Sequence, residues 1–250
     1  IQIDGLSDRR KPVFIGGLAI MLALFKALSI DKLLVSPFAV REGVLQDLLG
    51  RLEQRDPRDK AVKAFMARFA VDPAQVARVQ KTALDLFDQL SDDPAISTSH
   101  RVMLSWAAEL HETGLNLSHS SYQKHSAYLV QASDMAGFSR QEQLFLSVLV
   151  GFQRREVPVD FASMLPVRMH RALTITLLCM RMAWIFCRTR DDEAIPETRI
   201  RLNKTRVDLC LPASWKENHP LTIADLEFEE EALKTIGMHL DIDYPDHDCT

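Results

Sequence analysis

The sequence predicts a mainly α fold, with a short α/β stretch before a helical block and a small α+β part after it. Three observations carry this. Between residues 51 and 190 apolar residues recur at helical spacing and strand signals vanish. Before residue 50, two helical stretches flank a short extended run ended by Pro37, a helix–strand–helix order. After DDEAIP (191–196), polar and apolar residues alternate around Asn203-Lys204, a hairpin signal.

Each element has its own warrant. GGLAIMLALFKALS (16–29) reads as a helix opened by Gly16 and Gly17, IDKLLVSP as a strand, and AVREGVLQDLLG (39–50) as an amphipathic helix ended by Gly50. DPRDKAVKAFMARFA (56–70) carries apolar residues at helical spacing, and the next helix (71–90) starts with Asp72 as N-cap and Pro73 behind it. Helices follow over 99–114, 120–133 and 139–154, the last opened by an S-x-x-E capping box from Ser139 to Glu142. Residues 166–190 form a long helix rich in Leu, Met and Arg. Beyond the hairpin, LTIADLEFEEEALKTIGM reads as helical and HLDID as a final strand.

Bulk numbers bound the class. The chain has 250 residues, 47% of them hydrophobic, enough for a sizeable core. The longest apolar stretch, FIGGLAIMLALF (14–25), is broken by glycines and shorter than the roughly 18 residues of a membrane span, so no membrane partner is expected. The opening IQIDGLSDRRKP has no signal-peptide pattern and reads as mid-domain. Cys179 and Cys187 share a predicted helix about 12 Å apart, too far for a disulfide. No CxxC spacing occurs, and a reduced, cytoplasmic protein is expected. The net charge of −4 conceals an asymmetry: residues 100–190 carry 10 Lys/Arg against 6 Asp/Glu, residues 191–250 carry 6 against 15. A basic middle can offer a face to an anion. No P-loop, GxSxG or dinucleotide fingerprint is present.

The stretch LHETGLNLSHSSYQKHS (110–126) gathers three histidines, a glutamate and a lysine. It admits three readings. A metal site needs three or four convergent ligands, and this spacing offers neither HExxH nor a cysteine. Helix capping and bonding of buried backbone groups is the plain alternative. Anion binding lies between: His119, Lys124 and His125 sit at the start of a helix, where backbone N–H groups and cations favour phosphate. Arg154 and Arg155 follow the next helix, and Arg168, Arg171, Arg181, Arg188 and Arg190 decorate the long one, with solvated helix surface as the alternative. The pair Gly16–Gly17 at a helix start would let backbone approach a phosphate or nucleotide, or would serve tight packing.

GGLAIMLALFKAL (16–28), AVREGVLQDLLGR (39–51) and WAAELHETGLNLSHSSYQKHSAYLVQASDMAGFSRQEQ (106–143), in this order, resemble the C-terminal half of exopolyphosphatases, relatives of the guanosine pentaphosphate phosphohydrolases. The resemblance implies that residues 1–50 are a remnant of a second actin-like (RNase H-like) domain. It makes 51–190 an HD-like all-helical domain and 191–250 a small α+β domain. It places the Mg²⁺ site and the catalytic glutamate in a half outside this chain. No catalytic residue, metal or cofactor is therefore expected here, and the chain alone is expected to be inactive. Active HD enzymes hold metal with a histidine, a His-Asp pair and a later aspartate. Here Gln75, His111-Glu112 and Ala183-Trp184 stand near those positions, so the HD site reads as degenerate.

The implied function is guidance of inorganic polyphosphate to a processive exopolyphosphatase cleft, on His119, Lys124, His125, Arg154 and Arg155, within a homodimer and without nucleic acid. Gln123 and Gln153 stand where histidines are common in the family, which lowers the stretch's charge. The alternatives are a guanosine pentaphosphate phosphohydrolase, a pure dimerisation module, or an active HD metallophosphohydrolase.

Overall fold

The computed structural model describes residues 7, 9–33, 56–192 and 195–245. The chain divides into two compact units, Ile1–Leu49 and Gly50–Thr250.

In the first unit, α1 spans Lys11–Leu28, with Pro12 in its first turn and Ser29 closing it in the left-handed region at φ 50°. The helix begins five residues before Gly16, because Pro12 tolerates a first turn whose N–H groups are unpaired anyway. Gly16 and Gly17 therefore lie inside the helix, not at its N-terminus, and their N–H groups are committed to the helical ladder. α1 also corrects the estimate of apolar length. It counts 18 residues, apolar enough by length and composition to cross a membrane, and none is buried. The glycines that seemed to interrupt the run do not interrupt the helix. Residues 30–33 of the expected strand IDKLLVSP form no strand; its remainder and the expected helix 39–50 lie outside the described residues.

The second unit is mainly helical. α2 (Pro57–Arg68) and α3 (Pro73–Gln89) each start Asp-Pro, and Asp56 and Asp72 accept N–H bonds from Arg58 and Ala74. α4 spans Thr98–Leu110 and gives way to a 3₁₀ turn over Thr113–Asn116. α5 (Tyr122–Ala132) and α6 (Arg140–Gly151) follow, and the Ser139–Glu142 capping box forms in both directions at the start of α6. Gly114 permits the tight return from α4 to α5: a Cβ there would stand 2.2 Å from the Tyr122 carbonyl oxygen.

α7 (His170–Cys187) runs through the middle, buried along nearly its whole length, with α3, α4, α6 and α9 packed on it. Cys179 and Cys187 lie on it as free buried thiols. Burial pushes the Cys187 thiol up to about 11, so it stays protonated and inert. Cys210 is disulfide-bonded. That corrects the expectation of four reduced cysteines, which rested on the spacing of Cys179 and Cys187 and left Cys210 out of account.

β1 (Arg199–Asn203) and β2 (Arg206–Cys210) pair antiparallel across the two residues Lys204 and Thr205, with Lys204 at φ 54°. α8 (Ala213–Asn218) and α9 (Pro220–Thr235) then carry the chain to β3 (His239–Asp243), which pairs parallel to β2. Alternation aims Ile200, Val207, Leu209 and Leu240 inward. They join the same core cluster as the helices, from Val62 to Leu240.

Candidate functional site

A groove of about 1240 Å³ opens between the start of α5, the turn after α6, the C-terminal half of α7 and α9. Lys124, Arg154 and Arg155 all line it. Lys124 is exposed on the first turn of α5. Arg154 lies over two aromatic rings, 5.2 Å from the centre of Tyr122 and 4.8 Å from that of Trp184. The Trp184 indole N–H donates to the Tyr122 hydroxyl at 2.8 Å, so the platform under Arg154 is fixed. Burial pushes the Tyr122 phenol up, which keeps it protonated. Arg155 is exposed, with φ 65°.

None of these three cations meets a carboxylate among the described residues. Two other arginines on the groove are already neutralised: Arg181 pairs with Glu229 and Arg188 with Asp225. Glu156 and Glu231 also line the groove and temper its charge. Val159 and Phe228 add an apolar rim, 76% and 78% exposed.

The two other sequence candidates are placed apart from this groove. His119 is exposed in the turn before α5, and half-buried His125 packs its Cβ against the 3₁₀ turn near Gly114. Neither lines the groove.

The degenerate HD positions form a buried polar knot. The His111 ring meets the Ala108 carbonyl through Nδ1 at 2.6 Å, which assigns the proton to Nδ1 and leaves Nε2 as an acceptor with no partner. Burial pushes this imidazole down, while neighbouring Glu112 opposes that shift. Glu112 accepts from Arg190 at 2.6 Å, and its Oε1 stands 3.9 Å from His111 Nε2. Gln75 donates to the Cys187 carbonyl at 2.8 Å, and Gln153 to the His111 carbonyl at 2.9 Å. The knot therefore ties α3, α4 and the ends of α6 and α7 together. Among the described residues no group of three His, Cys, Asp or Glu is placed to hold a metal ion.

Arg181 was grouped in the sequence with surface arginines, yet it is 1% exposed. The signal was available: it is the single charge inside the apolar run 172–187. Its partner Glu229, in an acidic run of α9, carried no such signal.

Residues 58–230 match the family model Ppx/GppA phosphatase, domain III, and residues 1–52 match Ppx/GppA phosphatase family. The chain belongs to the Ppx/GppA phosphatase family. It is 32% identical over 241 residues to a guanosine-5'-triphosphate,3'-diphosphate pyrophosphatase of Pseudoalteromonas translucida, covering 96% of this chain and 48% of that protein. A protein of the same name from Aeromonas hydrophila is 32% identical over 243 residues, covering 95% and 48%. The chain thus spans about half the length of these curated relatives. Within this Ppx/GppA chain, the domain III match covers the groove's three unpaired cations and the His111–Glu112 knot together.

Proposed function

We propose that this chain is the substrate-guiding part of a phosphoanhydride hydrolase that removes terminal phosphate from inorganic polyphosphate. The observation that carries the reading is the convergence of Lys124, Arg154 and Arg155 on one groove with no carboxylate partner among the described residues. A polyphosphate chain bears roughly one negative charge per phosphate, so a line of unpaired cations attracts it and orients it without chemistry. Arg155 and Lys124 supply exposed charge; Arg154, placed over Tyr122 and Trp184, supplies a guanidinium fork.

The described residues do not fit Mg²⁺, which takes oxygen ligands in octahedral number. The knot offers a single carboxylate, Glu112, already paired with Arg190, and no group of three candidate ligands gathers there, so no step is routed through a metal here. In this reading the ion and the catalytic carboxylate belong to the rest of the protein, and this part contributes to a homodimer.

A second reading, hydrolysis of guanosine pentaphosphate, is favoured by the names of the relatives. Both substrates present phosphate chains to the same cations.

The test is the variant Lys124→Ala/Arg155→Ala. Two exposed charge contacts at roughly 0.2–1 kcal/mol each predict long-chain polyphosphate binding weakened about two- to thirtyfold at low salt, with unchanged melting. The loss should shrink as salt is raised. Unchanged affinity at low salt would remove the assignment. Competition by guanosine pentaphosphate at lower concentration than polyphosphate would move the conclusion to the second reading.

A further inference from the structure

The groove's two arginines sit on a turn that is held from inside. Arg181 of α7 reaches under that turn and uses four of its five N–H groups. Nη1 donates to the Phe152 carbonyl, and Nη2 donates to the Arg155 carbonyl at 2.7 Å. Nε and Nη2 grip both oxygens of Glu229 on α9, the latter at 2.6 Å. Arg181 is 1% exposed and Glu229 5%. Between those two carbonyls the chain carries Gln153 and Arg154, and it ends with Arg155 in the left-handed region at φ 65°. A non-glycine residue keeps that conformation only where its surroundings enforce it.

We propose that Arg181, oriented by Glu229, is a positioning residue for phosphate binding: it clamps the Phe152–Arg155 turn so that Arg154 and Arg155 face the groove. This rests on the guiding role proposed above. Packing alone does not account for the pair. A buried ion pair is often replaced by apolar residues with no loss of stability, so it is not explained as a source of folding energy. Its distinctive product is the fixed pair of carbonyls. Because Glu229 lies on α9, the clamp makes the terminal α/β part of the chain responsible for the shape of a site whose cations lie on the helical block.

The experiment compares the intact protein with Arg181→Met/Glu229→Leu, which removes both charges and keeps an apolar filling. Melting shows that the variant is folded. Arg181→Lys is the second variant, since a lysine cannot reach Glu229 and both carbonyls at once. The probe is long-chain inorganic polyphosphate at low salt. Expected is binding roughly tenfold weaker, the size of one lost charge-assisted hydrogen bond. Adding Arg155→Ala to the double variant should cost less than it does in the unmodified protein, because the clamp acts through that residue and Arg154. Trypsin should also cut after Arg154 or Arg155 faster than in the unmodified protein. Full affinity in a folded variant, or a loss that simply adds to that of Arg155→Ala, would overturn the proposal. If the unmodified protein does not bind polyphosphate, the guiding role falls. The cleavage rate then decides the clamp alone, and an unchanged rate rejects it.

Discussion

His111 shows how burial turns a residue chosen for chemistry into one that sets stability. Its Nδ1 proton goes to the Ala108 carbonyl, and the ring has no exposed surface. Burial lowers its proton affinity below the ordinary value of 6.5, with Glu112 opposing. The unfolded chain therefore binds more protons than the folded one below about pH 6.5, and stability falls as the pH drops through that value. A single such group contributes a slope of at most about 1.4 kcal/mol per pH unit. His111→Gln, which cannot titrate, should flatten the fall in urea midpoint between about pH 7 and about pH 5.5. Half-buried His100 shifts in the same direction and remains in both proteins, so the difference between them reports His111. Equal slopes would mean that His111 does not titrate in this window. The histidine was visible in the sequence and so was its degenerate HD setting. Its closure was not, because that depends on Gln153 and Arg190 arriving from elements 42 and 79 residues away in sequence.

Helix starts were the most legible elements, since a cap is a local pattern. Asp72-Pro73 and Ser139-x-x-Glu142 form as read, and Asp56-Pro57, read only as part of a helical stretch, starts a helix in the same way. The start of α1 was misplaced because two glycines looked like punctuation, whereas Pro12 marks the first turn. Glu142 also does something no local pattern shows. Besides accepting the Ser139 N–H at 2.8 Å, it pairs with Arg58, whose guanidinium lies 4.6 Å from the Trp106 ring centre. One carboxylate thus caps α6 and anchors α2. Ser139→Ala should cost about 1 kcal/mol, the worth of one cap. Glu142→Ala should cost more, about 1–3 kcal/mol, because it also removes one of the two carboxylates on a partly buried arginine and leaves it with Asp56 alone. Urea unfolding of the two variants checks the order; equal losses would show that the Arg58 contact adds nothing.

At the scale of the whole second unit, the charge asymmetry of the sequence suggested separate helical and terminal modules. The contacts argue for one cooperative body. Gln89 of α3 bonds both the Thr198 carbonyl and the Ile200 N–H, stitching β1 to the helical block. Arg171 of α7 reaches Asp93 at 2.8 Å, and it also bonds the Lys204 carbonyl in the hairpin. The Trp215 ring of α8 stands edge-on to Phe186 of α7, their centres 6.0 Å apart. The acidic excess of residues 191–250 is thus partly spent on arginines of α7, through Glu229 and Asp225. Composition could show the two charges but not that they meet. Trp106 lies in the helical block and Trp215 in the terminal part, so two single-tryptophan proteins that each keep one of them, with Trp184 replaced by Phe in both, report separately on the two regions. Their fluorescence should trace coincident urea transitions with equal midpoints, since neither region can lose the shared core without exposing the other's. A terminal transition at clearly lower urea would mean that residues 191–250 unfold independently. The Arg181–Glu229 clamp would then open before the helices do, taking the shape of the groove with it.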